Sequence, residues 1–477
     1  MSETLPLFSP DFNRAVKIEV RPEQISTDAG ALVLREVDHR YGLSARLATT
    51  LRDDRLDDQV LHQQPEVVRT MLLLAAQGWR DQDDATQLRD DPVFRVAVSA
   101  RRGTRPLERR RGEPTGLASQ PTLSRMLETL SGSANRSALR DALLDLAVAR
   151  LRGAGQLAES HWLDVDSIGI EVHGHQRGAE YNGHYRCTCY HPLVAVLGEA
   201  GDLVGAWLRP GRASAAGDAD ELIPWVVGEL RARGVALAGV RLDAGFPSGR
   251  LLGLLEQHGI PYVARIRSNS ALDRELGDLH LLPRLPDPDG SEPAPERLVE
   301  ARYAAKSWDE DRRIVCVVVQ EPGELFNRHF YLVTSYAPEQ LAAADLLAAY
   351  RQRGTAEGRF GEWMSTVPPS LSSTTRRKKT YRGRRPATTT HPRDPYACND
   401  AQLLVSALAY SLIHVVRCLL NAAGDERWGL RRVFERVLKA GARLRRGQRR
   451  ITFVLNRAAA DLHALVWKQL AAIPPPA

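Results

Sequence analysis

Residues 161–267 constrain the fold of this 477-residue chain more than any other stretch. Upstream, within 60–79 and 139–151, apolar residues recur every three or four positions, the spacing that buries one face of a helix. At His161 the period changes to two. LDVDSIGIEV (163–172) reads as a strand, and YHPLVAVLGEAG (190–201) with DLVGAWLRPG (202–211) as two more joined by a Gly-containing turn. ADELIPWVVGELRARG (219–234) is an amphipathic helix ended by Gly234, and VALAGVRLDAGF (235–246) is apolar in the manner of a strand covered on both faces. PSGRLLGLLEQHG (247–259) has Pro at its start and Gly at its end, as helices do, and PYVARIR (261–267) is a further strand. The order is β-β-β-α-β-α-β.

That order is the one found in a ribonuclease-H-like core, so the expected class is α/β: such a core with a β-strand insertion, flanked by N-terminal and C-terminal helical regions. The expected parts are a mainly helical DNA-binding region (1–155), the first part of the core (156–270), a β insertion (271–337), a core helix (338–366), a basic loop (367–398) and a C-terminal helical region (399–477). The insertion begins Pro- and acid-rich, then gives RLVEARYAA, RRIVCVVVQ and RHFYLVTSY; the core helix is expected to be continuous through LAAADLLAAYRQRGTAEGRFGEWM (341–364).

Charge is segregated rather than large. The net charge is +7, yet RRGTRPLERRR (101–111) holds six arginines and one acid, and RRKKTYRGRR (376–385) seven basic residues and none. Residues 431–450 hold nine basic residues and only Glu435. Basic blocks of this kind fit a polyanionic partner, nucleic acid above all. Within GLASQPTLSRMLETL (116–130), Pro121 marks a helix start, and a helix opening with Thr122, Ser124 and Arg125 has the makings of a groove-entering helix. Five cysteines are too few for a disulfide framework and fit a reducing compartment; the N-terminus lacks the pattern of a signal peptide. Residues 401–420 are apolar enough to suggest a bilayer span, but Gln402, Ser406, Tyr410, His414 and Arg417 form a polar stripe that indicates an amphipathic helix against a core, so no membrane association is expected.

The residues able to carry chemistry are carboxylates. Asp164 and Asp166 are two apart on one strand and share a sheet face. An aspartate inside an apolar strand is costly to bury unless it is paired or binds metal. Asp243 ends the apolar strand of 235–246, where sites in α/β sheets gather. Tyr350, Arg353 and Glu357 are spaced three and four apart, one face of a helix, whereas Glu362 faces elsewhere. Three such carboxylates suit two Mg²⁺ ions, with Mn²⁺ as the alternative, for phosphodiester chemistry. HYRCTCYH (184–191) is too tightly spaced, and lacks a second Cys pair, for a structural zinc site. There is no phosphate-binding G-x-x-x-x-G-K-[ST] loop.

In LDVDSIG, HGHQRGAEYNGHY, YHPL, RLDAGF, YRQRGTAE and the upstream ASQPTLSR, the chain resembles the DDE transposases of bacterial insertion sequences that carry a Tyr-x-x-Arg-x-x-x-Glu helix and a β insertion. The resemblance covers about residues 115–365. It implies a catalytic, metal-binding triad of Asp166, Asp243 and Glu357; Asp166 is preferred to Asp164 because Ser167 follows it. It also implies phosphate contacts by Tyr350 and Arg353. The family's Lys seven residues after the Glu is replaced here by Met364, with Arg376, Arg377, Lys378, Lys379 and Arg382 nearby as DNA-binding candidates beside Arg125. The implied activity is cutting at terminal inverted repeats and transfer of the 3′-hydroxyl into target DNA, by a homodimer on duplex DNA in the bacterial cytoplasm, at the nucleoid. The alternatives are a catalytically inactive DNA-binding derivative and a nuclease that never joins ends.

Overall fold

The computed structural model describes residues 11–13, 15, 24–53, 55, 60–108, 116–275, 296–319, 327–374 and 394–474, and the backbone of 379–382 and 385–388. The chain forms two compact units, one of residues 1–142, 362–371 and 391–477, the other of 143–361 and 372–390. In chain order the strands are β1 (Ile25–Ser26), β2 (His161–Ser167), β3 (Ile170–Glu171), β4 (Glu180–Asn182), β5 (Cys187–Tyr190), β6 (Leu193–Leu197), β7 (Leu203–Trp207) and β8 (Leu237–Leu242). They continue with β9 (Tyr262–Ile266), β10 (Glu296–Tyr303), β11 (Arg312–Val319), β12 (Arg328–Thr334), β13 (Lys379–Arg382), β14 (Arg385–Thr388), β15 (Ala442–Arg446) and β16 (Ile451–Leu455).

The second unit is built on a mixed sheet in the order β10-β11-β12-β9-β8-β2-β6-β7. β2, β8 and β9 are parallel neighbours, and the remaining pairings are antiparallel. The two parallel steps are made by the helices Ala219–Ala232 and Gly249–Gln257, the second capped by Ser248, whose hydroxyl accepts from the Leu251 amide. Leu222, Ile223, Val226 and Leu230 of the first and Leu251, Leu252 and Leu255 of the second bury one sheet face, made by Leu163, Val165, Val240, Leu242, Tyr262 and Ala264. The opposite face is covered by Ala343, Leu346 and Leu347 of the helix Ala343–Arg351, packed on Val263, Val315, Val317 and Leu332. β6, paired with β2 on one side and β7 on the other, is buried at every residue.

The three strands expected as an insertion lengthen this sheet. β12 pairs with β9, placing Tyr331 opposite Ile266 and Thr334 opposite Val263. The reason lies in β11, where Arg312 to Val318 are all buried; a strand apolar on both faces needs neighbours on both edges and cover on both sides.

The first unit is mainly helical, with Gly30–Tyr41, Gln64–Ala76, Gln120–Leu130, Pro395–Ala422 and Arg457–Ala471 among its helices. The helix Pro395–Ala422 is long and apolar enough to cross a bilayer, and 89% of its most apolar window is buried inside the protein. Four of its polar stripe residues, Ser406, Tyr410, His414 and Arg417, are buried too, a departure from the amphipathic expectation, while Gln402 is half-buried. Ser406 accepts from the Trp363 indole at 2.8 Å and Arg417 donates to Glu362 at 2.5 Å, whereas the Gln402 Oε1 has no hydrogen-bond partner among the described residues. A second departure is at the C-terminus, where β15 and β16 form a hairpin that pairs with β1 in a region expected to be helical. ARLRRGQRRITFVL (442–455) alternates with period two about Gly447, a strand pattern that the density of arginine obscures.

Candidate active site

The alternation of β2 and β8 decides what their polar residues meet. Leu163, Val165, Val240 and Leu242 point into one core, so Asp164, Asp166, Arg241 and Asp243 point to the face covered by Ala343–Arg351. β2 and β8 run parallel with Asp164 beside Arg241. Carrying that register two residues further brings Asp166 beside Asp243. One layer thus joins opposite charges, and the next joins like ones.

The first layer is structural. Arg241 donates from Nε to Asp164 Oδ1 and from Nη2 to Oδ2, both at 2.6 Å, with the two side chains 0% and 1% exposed. It also reaches Glu199 at 3.0 Å and the Ala349 carbonyl at 2.8 Å, tying β2 and β8 to the covering helix. A Cβ at position 198 would collide with this guanidinium, which accounts for Gly198. Neither Arg241 nor Glu199 was singled out from the sequence; the only signal was an arginine inside an otherwise apolar strand.

In the second layer Asp166 accepts from the Ser167 amide at 2.8 Å and from Arg353 Nη2 at 2.6 Å. Burial raises its pKa to about 6; Arg353 opposes the rise, and Asp243 and Glu357 add to it. Asp243 accepts from the Gly245 amide at 2.8 Å in the turn after β8. Arg353 also donates to Glu357 Oε1 at 2.7 Å, and Glu357 is 61% exposed. Burial lowers the pKa of Arg353, but Asp166, Asp243, Tyr350 and Glu357 outweigh it and the net shift is upward. Its Nε is buried without a hydrogen-bond partner.

The helix that carries Tyr350, Arg353 and Glu357 is not continuous, in contrast to the expectation for 341–364. It ends at Arg351, and Gly354–Thr366 begins a new one. Around the break the bonds tighten to three-residue spacing, with the Arg353 amide on the Tyr350 carbonyl at 3.0 Å and Ala356 on Arg353 at 2.9 Å. Gly354, a poor helix former, stands at the junction. The break lets the Arg353 guanidinium turn back onto Asp166. Among the described residues no three Asp, Glu, His or Cys side chains are close enough together to hold an ion, and Arg353 holds two of the candidate carboxylates.

Residues 8–382 match the family described as transposase DDE domain, group 1. The chain belongs to that family. Among solved structures the transposase is similar to the piggyBac transposase of a cryo-EM synaptic complex with hairpin DNA, at 12% identity over 93% of this chain and 83% of that one, with a TM-score of 0.37. No curated protein matches it.

The transposase's other candidate residues are distributed as follows. Tyr350 is half-buried against the core beneath Ala343–Arg351, and burial raises its pKa. Arg125 is exposed on Gln120–Leu130 and reaches Thr122 at 3.3 Å, whereas Ser124 is buried and so turned away from any groove. Arg376, Arg377 and Lys378 lie outside the described residues; Lys379 and Arg382 belong to β13, whose backbone alone is described. Tyr185, in the quoted HGHQRGAEYNGHY segment but given no role there, lies near the carboxylates. Its hydroxyl donates to the Ser167 carbonyl at 3.3 Å, and burial, then Asp166, raises its pKa. Of the Cys/His group, Cys189 is buried and the His191 ring engages the Ala213 carbonyl at 2.8 Å.

Proposed function

We propose that this transposase cuts DNA at the ends of its element and transfers the freed 3′-hydroxyl into target DNA, using Asp166, Asp243 and Glu357 within a ribonuclease-H-like core. The observation that carries the reading is the like-charged layer: Asp166 beside Asp243, with Glu357 held next to them through Arg353. Such a layer on adjacent parallel strands is relieved by a bound cation or by a proton on one carboxylate, and the cation leaves both carboxylates charged. The antiparallel β2-β6-β7 edge followed by parallel β8 and β9 fits the ribonuclease-H-like order.

The donors are hard oxygens free of committed thiolate or imidazole, a set that fits two Mg²⁺ or Mn²⁺ ions held by Asp166, Asp243 and Glu357. When bound, those ions would activate the attacking oxygen and stabilise the leaving one. Arg353 has the complementary task. It neutralises Asp166 and Glu357 in the DNA-free protein, and its planar fork suits a backbone phosphate, so DNA binding frees the carboxylates as the guanidinium moves to the phosphate. Tyr350 lines the same turn and orients it. Arg241 and Asp164 act as positioning residues, fixing β2 against β8 and the Ala349 carbonyl.

The partners in this reading are duplex DNA, terminal inverted repeats and target alike, and a second copy of the chain, since two ends must be joined. The setting is the bacterial cytoplasm at the nucleoid. The test uses the full chain, a duplex carrying the gene's own flanks and Mg²⁺, with 3′-ends mapped and joined products sequenced. Cutting at the flank boundary and joining by wild type but not by Asp243→Ala is the expected result. Cutting without joining would leave a nuclease, and binding without cutting by either protein would leave an inactive DNA-binding derivative.

A further inference from the structure

The hairpin β15–β16 lies beyond the residues matched to the family and takes no part in the carboxylate site. From Arg436 to Asn456 the chain has seven basic residues and no acid. Pairing sets Arg443 opposite Val454 and Arg445 opposite Thr452, with Ile25 of β1 on the other side of Arg443. Ala442, Leu444, Phe453 and Leu455 are buried or half-buried, so the alternation turns Arg443, Arg445, Thr452 and Val454 to the exposed side. Val454 is 37% exposed and Ile25 52%, each on an edge strand and flanking Arg443 of the central strand β15.

Arg446 is held by the Leu107 carbonyl at 3.2 Å and lies 3.9 Å from Glu108. Among the described residues no ion pair is made by Arg443, Arg445, Arg449 or Arg450, and all four are exposed. Four like charges along one strand and the adjoining turn repel one another, an arrangement that an anion would relieve. We infer that the outer face and tip of this hairpin bind duplex DNA, with these four arginines on backbone phosphates and Thr452 and Val454 turned to the groove. The inference rests on the reading of the protein as a DNA transposase. Two strands about 4.8 Å apart fit a major groove about 12 Å wide. A five-residue strand, at about 3.4 Å per residue, matches the rise of roughly five base pairs along the duplex axis. Exposed aliphatic groups amid arginines suit contact with thymine methyls.

The experiment measures binding of the full chain to a short duplex with the gene's flanks, by anisotropy, between about 50 and 200 mM salt. The variant combines Arg443→Gln, Arg445→Gln, Arg449→Gln and Arg450→Gln. Losing four phosphate contacts should flatten the slope of log K against log salt by about 3.6 and weaken binding roughly 10–100-fold at the low-salt end. The matching Arg→Lys variant should keep most of the slope, and both should melt at the wild-type temperature. A Gln variant that binds with wild-type affinity and slope overturns the inference while leaving the transposase reading intact. Duplex RNA of the same sequence bound equally well through these arginines would overturn the assignment to DNA. Failure of wild type to bind duplex DNA at all would overturn both.

Discussion

Replacing Arg353 by Gln should make the DNA-free protein bind divalent cations more tightly. In the structure the guanidinium donates to Asp166 at 2.6 Å and to Glu357 at 2.7 Å. The two bonds are unequal. Glu357 is 61% exposed, so its pair is worth about 0–1 kcal/mol. Asp166 and Arg353 are 18% and 8% exposed, and a charge-assisted bond in such a setting is worth about 1.5–3 kcal/mol. A cation that takes the Asp166 carboxylate must break that bond, which lowers the affinity of the wild type roughly 10–100-fold. Removing Arg353 also removes a charge that holds the Asp166 pKa down, so the measurement belongs near pH 8, well above the value of about 6 found with Arg353 present. Free Mn²⁺ is counted by its spin-resonance signal in titrations of wild type, Arg353→Gln, and Arg353→Gln with Asp166→Asn. The single variant should bind about 10–100-fold more tightly than wild type, and the double variant should lose that gain. Equal or weaker binding by Arg353→Gln, with thermal unfolding unchanged, would refute the competition between guanidinium and cation.

Other outcomes follow from the same two layers. Arg241→Met should cost about 3–5 kcal/mol by stranding Asp164, and Asp164→Leu added to it should recover much of the loss, read from thermal or urea unfolding. For Asp166 the folded pKa, about 6, lies above the ordinary carboxyl value of 3.8, so the folded state binds the proton more tightly. Its stabilising contribution is therefore complete below pH 3.8, declines as pH rises through 6, and totals roughly 3 kcal/mol. The stability difference between wild type and Asp166→Asn, in metal-free buffer, should shift against the wild type between about pH 4 and 7, and a flat difference would contradict the burial argument.

Much of the fold was legible because periodicity is a local property. Period two in LDVDSIG puts Asp164 and Asp166 on one face whatever else the chain does, and the Pro and Gly bounds of 247–259 mark a helix without reference to its neighbours. RLDAGF placed Asp243 at a strand end for the same reason. Burial of β11 on both faces was equally visible in RRIVCVVV, but its partner strand was not, because pairing is a property of two segments.

What only the tertiary structure decided is how charges share partners. Asp164 and Asp166 share one face of the same strand, and their partners differ because the parallel register of β2 with β8 delivers Arg241 to the first and Asp243 toward the second. The break after Arg351, which turns Arg353 onto Asp166, falls at Gly354, yet Gly358 and Gly361 sit within the next helix, so glycine alone does not mark it. The hairpin β15–β16 was hidden by its own arginines, whose facing depends on which side of the strands the rest of the unit covers. Apolar spacing records whether a residue is inside, since burial is paid for residue by residue; which charge meets which depends on register between segments far apart in the chain, and no local pattern carries that.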